Sequence, residues 1–140
     1  ERGESFSEFA SSFFHDFASS YELDMYDGDR LFCVSHMDLT PSCLSAVYCY
    51  YLPEYARFSP GSFAIVREIG EAMNRSIPYV YLGFFIAENR HMRYKEGFYP
   101  NEILVTEDSW QPFRDRNNCL SKPELIERGF VPRMRLRAGA

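Results

Sequence analysis

The chain has 140 residues, of which 46% are hydrophobic and 17% aromatic, so disordered, collagen-like and low-complexity proteins are excluded and one domain with a large aromatic core is predicted. The net charge of -5 argues against a uniformly basic nucleic-acid binder. The charge is uneven, because residues 1–110 carry 8 basic and 17 acidic side chains whereas residues 111–140 carry 7 basic and 3 acidic ones.

The spacing of the cysteines and the length of the apolar runs exclude further classes of protein. No C-x-x-C or H-E-x-x-H spacing is present, so we predict no metal site, no redox motif and no cofactor. The four cysteines are interpreted as small core residues in a reducing compartment. No apolar run approaches the roughly 20 residues that span a bilayer, and no secretion signal is recognisable, so we predict a cytoplasmic protein. The chain starts at Glu1 rather than Met, which we interpret as a fragment or an excised domain.

The first predicted elements are a helix and an antiparallel meander. A capping box and phenylalanines at three- and four-residue steps predict an amphipathic helix over residues 5–19. Alternating apolar residues over 21–25, a turn at Asp27-Gly28 and an apolar run over 31–34 predict a β-hairpin. Aromatic and small apolar residues over 44–51 predict a third strand that pairs with the second.

A helix and a parallel crossover come next. Ser59-Pro60-Gly61-Ser62 predicts the start of a helix, and Pro78 predicts its end. Its apolar residues are predicted to form a buried stripe: Ile65, Val66, Ile69, Ala72 and Met73. Residues 79–86 predict a strand, and a strand, a helix and a strand in this order imply a parallel pair.

Residues 98–105 are predicted to be the last strand of the sheet. We interpret residues 1–113 as the domain and 114–140 as a basic extension with a short helix near 122–128. The whole is an α+β domain with a mixed, mostly antiparallel sheet flanked by helices. This order of elements resembles the GNAT-like acyltransferase fold of N-acetyltransferases, in which splayed strands form a cleft for an activated acyl donor.

Five segments resemble, in order and spacing, sequence patterns of the arginyl-tRNA–protein transferases and their bacterial leucyl-transferring relatives. They are residues 38–48 (D-x-x-P-x-x-L-S-x-V-Y), 59–63 (similar to S-x-G-T-Y), 67–69 (R-E-I), 79–86 (similar to Y-x-Y-L-G-Y-x-I) and 92–104 (M-x-Y-K-x-x-F-x-P-x-E-x-L). Each segment alone is a weak signal, but their common order makes chance an unlikely explanation.

The resemblance implies an enzyme that moves arginine or leucine from the 3′ end of a charged tRNA to the N-terminal amine of a protein beginning with Asp or Glu, which creates an N-degron. Members of the family also carry an N-terminal domain with a cysteine cluster, and no segment of this sequence resembles it. We therefore expect weak transfer, or none, by this chain alone. Leu52 stands where the family commonly has Asp, and Asn89 stands where many members have Cys.

The chemistry of the transfer can be argued from the residues. An α-amine has a pKa near ~8, so a strong general base is not essential, and the site must align the amine with the ester, stabilise an oxyanion and protonate the departing ribose oxygen. Strand residues suited to orientation and proton relay are the predicted catalytic residues: Asp38, Ser45, Tyr48 and Tyr81.

The predicted substrate-binding residues are Gly83, Arg93, Tyr94 and Lys95. Gly83 would let a substrate backbone approach the strand closely. In an extended segment, Arg93 and Lys95 would share one face and Met92 and Tyr94 the other. The two cations could then bind tRNA phosphates or the acidic side chain of a protein substrate.

Several alternatives remain open at the level of sequence. Asp38 could cap the Thr40-Pro41 turn, and Ser45 and Tyr48 could be ordinary strand residues. A hydrolase triad with His36 is disfavoured because the G-x-S-x-G elbow is missing.

Two other functions of the same fold also compete. A coenzyme-A-dependent N-acetyltransferase would need a pyrophosphate cradle, and residues 57–62 offer one glycine and a proline that removes a donor. A non-enzymatic binding domain is favoured by Leu52.

Overall fold

The computed structural model describes residues 19–121 and 132–139. The predicted helix over 5–19 lies almost wholly outside the described residues, as does the predicted short helix near 122–128. The described elements, in chain order, are β1 (Ser20–Asp27), β2 (Arg30–Leu39), β3 (Cys43–Tyr51), a 3-10 helix (Pro53–Phe58), α1 (Pro60–Asn74), β4 (Tyr79–Phe84), α2 (Arg90–Arg93), a second 3-10 helix (Tyr94–Gly97), β5 (Asn101–Thr106), β6 (Ser109–Arg114) and β7 (Arg133–Arg137). Within the described ranges, no helix is long and apolar enough to cross a membrane.

The strands form one seven-stranded sheet in the order β1-β2-β3-β4-β7-β5-β6. β3 and β4 run parallel, and the other neighbouring pairs of this sheet run antiparallel. The predicted hairpin, the third strand paired with the second and the parallel crossover are therefore confirmed. Gly28 has a φ of 59° at the hairpin turn, a conformation that glycine adopts without steric cost.

Helix α1 covers one face of the sheet and buries a different arc of side chains than the sequence pattern predicts. Ile65 and Ala72 are buried as expected, but Val66 is 55% exposed and Met73 is 54% exposed. The predicted stripe is wrong at these two positions because it counts apolar residues only. Around the helix axis, Val66 and Met73 lie on one side of Ile65. The buried side chains Ala64, Glu68 and Ala72 lie on the other side, and this arc faces the sheet.

Strand β7 lies in the interior of the sheet. Arg133–Arg137 pairs with β4 on one side and with β5 on the other, and Met134 and Leu136 belong to the hydrophobic core. The expectation of an extension outside the core is therefore wrong for this stretch. The prediction that residues 98–105 close the sheet is also wrong, since β6 and β7 follow and β7 separates β5 from β4. The alternation of arginine with apolar residues is the pattern of a strand with one buried face.

Candidate functional site

A cavity opens where the two parallel strands separate. The pairing of β3 with β4 covers residues 43–45 and 79–81, and the strands then diverge. The space beyond is a cavity of about 360 Å³, lined by residues 46–49 of β3 and 82–84 of β4. Its remaining lining comes from Ser35 of β2 and from α1, α2 and the second 3-10 helix. Where β3 and β4 separate, the backbone N–H and C=O groups on their facing edges no longer pair with a strand, and these edges border the cavity.

Glu68 of α1 lines this cavity and is a candidate functional residue that is not among the predicted site residues, although it lies in the Arg67-Glu68-Ile69 segment that resembles the family. It is 1% exposed, and its Oε1 accepts a 2.6 Å hydrogen bond from the Ser35 hydroxyl. Its Oε2 has no hydrogen-bond partner among the described residues. Burial raises the pKa of Glu68, and the Ser35 hydrogen bond opposes this effect only in part. A signal was present, because Ala64, Glu68 and Ala72 follow one another at four-residue steps on the buried arc of α1.

Lys95 joins the second 3-10 helix to the end of β4. It is 9% exposed, and its Nζ donates a 2.9 Å hydrogen bond to the carbonyl oxygen of Phe84. Burial lowers the pKa of Lys95. Gly83, the residue before Phe84, has a φ of 74°, which strains any residue with a side chain, and lies beside the Lys95 ammonium. The structure therefore brings the predicted residues Gly83 and Lys95 together in the cavity wall.

Two predicted tyrosines, Tyr48 of β3 and Tyr94 of the second 3-10 helix, also line the cavity, and both are partly exposed. Burial raises the pKa of Tyr94, and the nearby acidic groups of Cys49, Glu68 and Tyr51 raise it further. The Tyr94 hydroxyl is thus held in its protonated form near the buried carboxylate.

Three predicted catalytic residues form a row across the sheet. Asp38 pairs with Ser45, and Ser45 pairs with Tyr81, so the three side chains share one face. Leu44 and Val80, their chain neighbours, pack in the core with α1, so the row lies on the opposite face. None of the three is among the residues that line the cavity.

The row has hydrogen-bond partners of its own. Asp38 accepts a 2.7 Å hydrogen bond from the Ser20 hydroxyl, and Tyr81 accepts one of 3.4 Å from Arg135. Arg135 also donates to Glu102 at 2.7 Å and lies 4.2 Å from the ring centre of Trp110. Asp38 and Tyr81 therefore have separate polar partners, on the face of the sheet opposite to the one that α1 covers.

The expectation that Arg93 and Lys95 share one face of an extended segment is wrong. Residues 90–97 form α2 and a 3-10 helix, because the Asn89 side chain caps α2 by accepting a 2.9 Å hydrogen bond from the backbone N–H of His91. In this helical geometry Arg93 is exposed and donates to Glu96 at 2.8 Å, whereas Lys95 turns inward. Asn89, which departs from the family pattern, thus has a structural role.

The described residues contain no group of three or more His, Cys, Asp or Glu side chains that could hold a metal ion.

Comparisons with known proteins match both the fold and the sequence. The crystal structure of a ribosomal-protein alanine N-acetyltransferase from Escherichia coli aligns with a TM-score of 0.59 at 14% identity, covering 98% of this chain and 79% of that one. At this identity the likeness establishes the fold alone, which is the GNAT-like acyltransferase fold.

Three relatives are similar in sequence. The aspartate/glutamate leucyltransferase of Campylobacter jejuni is 39% identical over 84 residues, which cover 60% of this chain and 35% of the relative. The enzyme of the same name from Acinetobacter baylyi is 34% identical over 125 residues, or 89% of this chain and 45% of the relative. Arginyl-tRNA–protein transferase 1 of Arabidopsis thaliana is 35% identical over 121 residues, or 82% of this chain and 18% of the relative. The chain spans less than half the length of each of these relatives.

The family model described as "Arginine-tRNA-protein transferase, C terminus" matches residues 1–105. Because this match covers more than half of the chain, the protein belongs to the arginine-tRNA–protein transferase family and corresponds to its C-terminal part.

Proposed function

We propose that this chain is the acyl-transfer part of an aminoacyl-tRNA–protein transferase, which moves arginine or leucine from a charged tRNA to the N-terminal amine of a protein. One observation carries the proposal. Segments 38–48, 79–86 and 92–104, which are separate in sequence and each resemble a pattern of the family, all contribute to the wall of one cavity.

The cavity suits the reaction chemically. The neutral acceptor amine attacks the ester carbonyl, the C–N bond forms and the C–O bond to the ribose breaks. The nitrogen loses one proton and the ribose oxygen gains one, so no net proton is consumed. Strand edges that diverge offer backbone N–H groups to the oxyanion, and the close approach of a substrate to β4 is favoured by Gly83. Tyr94 carries a protonated hydroxyl at the cavity and is our candidate donor to the ribose oxygen.

We assign the reaction to the predicted residues that line the cavity, namely Tyr48, Gly83, Tyr94 and Lys95. The predicted catalytic roles of Asp38, Ser45 and Tyr81 and the predicted binding role of Arg93 stay predictions. Lys95 acts in this proposal by holding the Phe84 carbonyl, and so the end of β4, in place.

We propose that the acceptors are proteins that begin with Asp or Glu and that the reaction takes place in the cytoplasm. Support for the acceptors comes from the names of the bacterial relatives, which are aspartate/glutamate leucyltransferases. The exposed Arg90 of α2, next to the lining residue His91, is available to an acidic first side chain, whereas Arg93 is paired with Glu96.

The test is a transfer assay with the purified chain. tRNA charged with radiolabelled arginine or leucine is incubated with a peptide that begins with Asp, and the same peptide with an acetylated N-terminus is the matched control. We expect label in the free peptide, at a low rate, and none in the acetylated one. A chain that binds charged tRNA but labels neither peptide contradicts transfer by this chain alone and favours the binding domain. A chain that neither binds nor transfers contradicts both.

A further inference from the structure

Glu68 is a buried carboxylate that lacks a full set of donors. An ionised carboxylate has two oxygens that accept hydrogen bonds, and burying one without donors is costly, so such groups are normally paired. Here Ser35 satisfies Oε1, and Oε2 has no hydrogen-bond partner among residues 19–121 and 132–139. A proton or a cationic donor would complete the hydrogen bonding of Oε2, and of these the cationic donor is a ligand.

The cations of the cavity wall do not fill this place. The ammonium of Lys95 donates to the carbonyl oxygen of Phe84, with the Met92 sulfur at 3.9 Å. His91, which also lines the cavity, accepts a hydrogen bond from Arg90 at 3.3 Å. Burial raises the pKa of Cys49 and of Tyr94, so both stay neutral near pH 7 and neither supplies a positive charge to Glu68.

The shape of the surroundings favours a primary ammonium in particular. An ammonium carries three donors on one small nitrogen. The carboxylate can take one of them. Residues of β3 and β4 beyond their last paired position line the same cavity, and unpaired strand edges of this kind present backbone carbonyls that can take the others. A planar guanidinium, with five donors in a fixed fork, would leave more of them unpaired in a cavity of about 360 Å³.

We propose that Glu68 forms the binding site for an α-ammonium group, held between Glu68 Oε2 and the open edges of β3 and β4. This site rests on the proposed function, since the transfer reaction brings two α-amines to one place. One is the N-terminal amine of the acceptor protein, and the other is the α-amine of the aminoacyl group on the tRNA. Glu68 is 1% exposed, so either amine reaches it through the cavity that it lines.

Two binding measurements on the full chain separate the two sources. The first compares a peptide that begins with a free Asp with its N-acetylated form. The second compares an aminoacyl-tRNA with the N-acetylaminoacyl-tRNA made from it. We expect the wild-type chain to bind the free amine about tenfold more tightly in one of the two pairs, because a charge-assisted hydrogen bond is lost on acetylation.

The variant Glu68→Gln keeps the size of the side chain and its bond to Ser35, and we expect it to lose this preference. Glu71→Gln, one turn further along α1 and paired with Arg75 at 2.6 Å, is the matched control and should keep it. Circular dichroism verifies the fold of both variants. If Glu68→Gln does not fold, Glu68→Asp withdraws the carboxylate by one methylene and should weaken binding of the free amine alone.

The possible results distinguish the two amines from each other and the ammonium site from the proposed function. Loss of preference in the peptide pair assigns the site to the acceptor amine, and loss in the tRNA pair assigns it to the aminoacyl group. A wild-type chain that transfers or binds, with a preference that Glu68→Gln retains, overturns the ammonium site and leaves the proposed function intact. A wild-type chain that binds none of the four ligands overturns both.

Discussion

Replacing Met134 with alanine tests whether β7 is an interior strand of the fold. Met134 is 0% exposed and packs in the main hydrophobic core. Truncation of a buried methionine to alanine removes its transfer free energy and leaves a cavity, and together these cost about 2–5 kcal/mol. For a chain of 140 residues, an unfolding entropy of about 2.1 cal/mol/K per residue converts each kcal/mol into a fall in Tm of roughly 3–4 °C. We therefore expect Met134→Ala to melt about 10 °C below wild type.

The control for this substitution lies on the same strand. Arg133 is exposed and makes a cation–π contact with Phe84, its guanidinium carbon lying 5.6 Å from the ring centre. Such a contact at an exposed site is worth about 0.5–1 kcal/mol, so Arg133→Ala should lower Tm by at most about 3 °C. Thermal unfolding followed by circular dichroism measures both variants. Equal melting temperatures for Met134→Ala and Arg133→Ala would refute the interior placement of β7.

Three further predictions concern buried and paired groups. Burial raises the pKa of Glu68 above its ordinary 4.5, so the folded state loses stability as the pH rises from that value towards the folded pKa. Glu68→Gln should therefore gain stability over wild type as the pH rises from about 4.5 to the folded pKa of Glu68, by about 1.4 kcal/mol per pH unit in that interval. A gain independent of pH in urea titrations would contradict this. Although burial alone would raise the pKa of Glu96, hydrogen bonds and charges from its arginine partners lower it. Arg114 is one of these partners, with its Nη2 at 2.6 Å from Glu96 Oε2. Arg114→Met should therefore lower the free energy of unfolding in urea by about 1–3 kcal/mol at neutral pH, and by less as the pH falls through the folded pKa of Glu96. An equal loss at all pH values would argue against the pair. Burial, followed by the contact with the neighbouring thiol, raises the pKa of Cys33 to about 12, so iodoacetamide at about pH 8 should label the exposed Cys119 and spare Cys33, as mass spectrometry will show. Equal labelling of the two thiols would contradict the burial.

The candidate site could be predicted in part from the sequence. Residues 79–86 and 92–95 were identified from their patterns, and Gly83, Tyr94 and Lys95 do line one cavity. The local conformation of the second segment was wrong because alternation of polar and apolar residues over four positions does not distinguish a strand from a helical turn.

Glu68 escaped the sequence analysis for a related reason. A carboxylate on a helix is exposed in most proteins, so the four-residue spacing of Ala64, Glu68 and Ala72 does not by itself predict a buried carboxylate. Only the packing of α1 on the sheet shows that this arc is buried and that Glu68 meets Ser35 of β2.

The sequence by itself determined the local elements of this protein. The hairpin at Asp27-Gly28, the helix that begins at Pro60 and the parallel crossover to β4 follow from turn chemistry and apolar periodicity, which act over a few residues. The tertiary structure alone decided that β7 enters the sheet beside β4, since Tyr81 and its hydrogen-bond partner Arg135 are 54 residues apart. The pairing of strands so distant depends on the side chains that they bury together, and no local pattern records it.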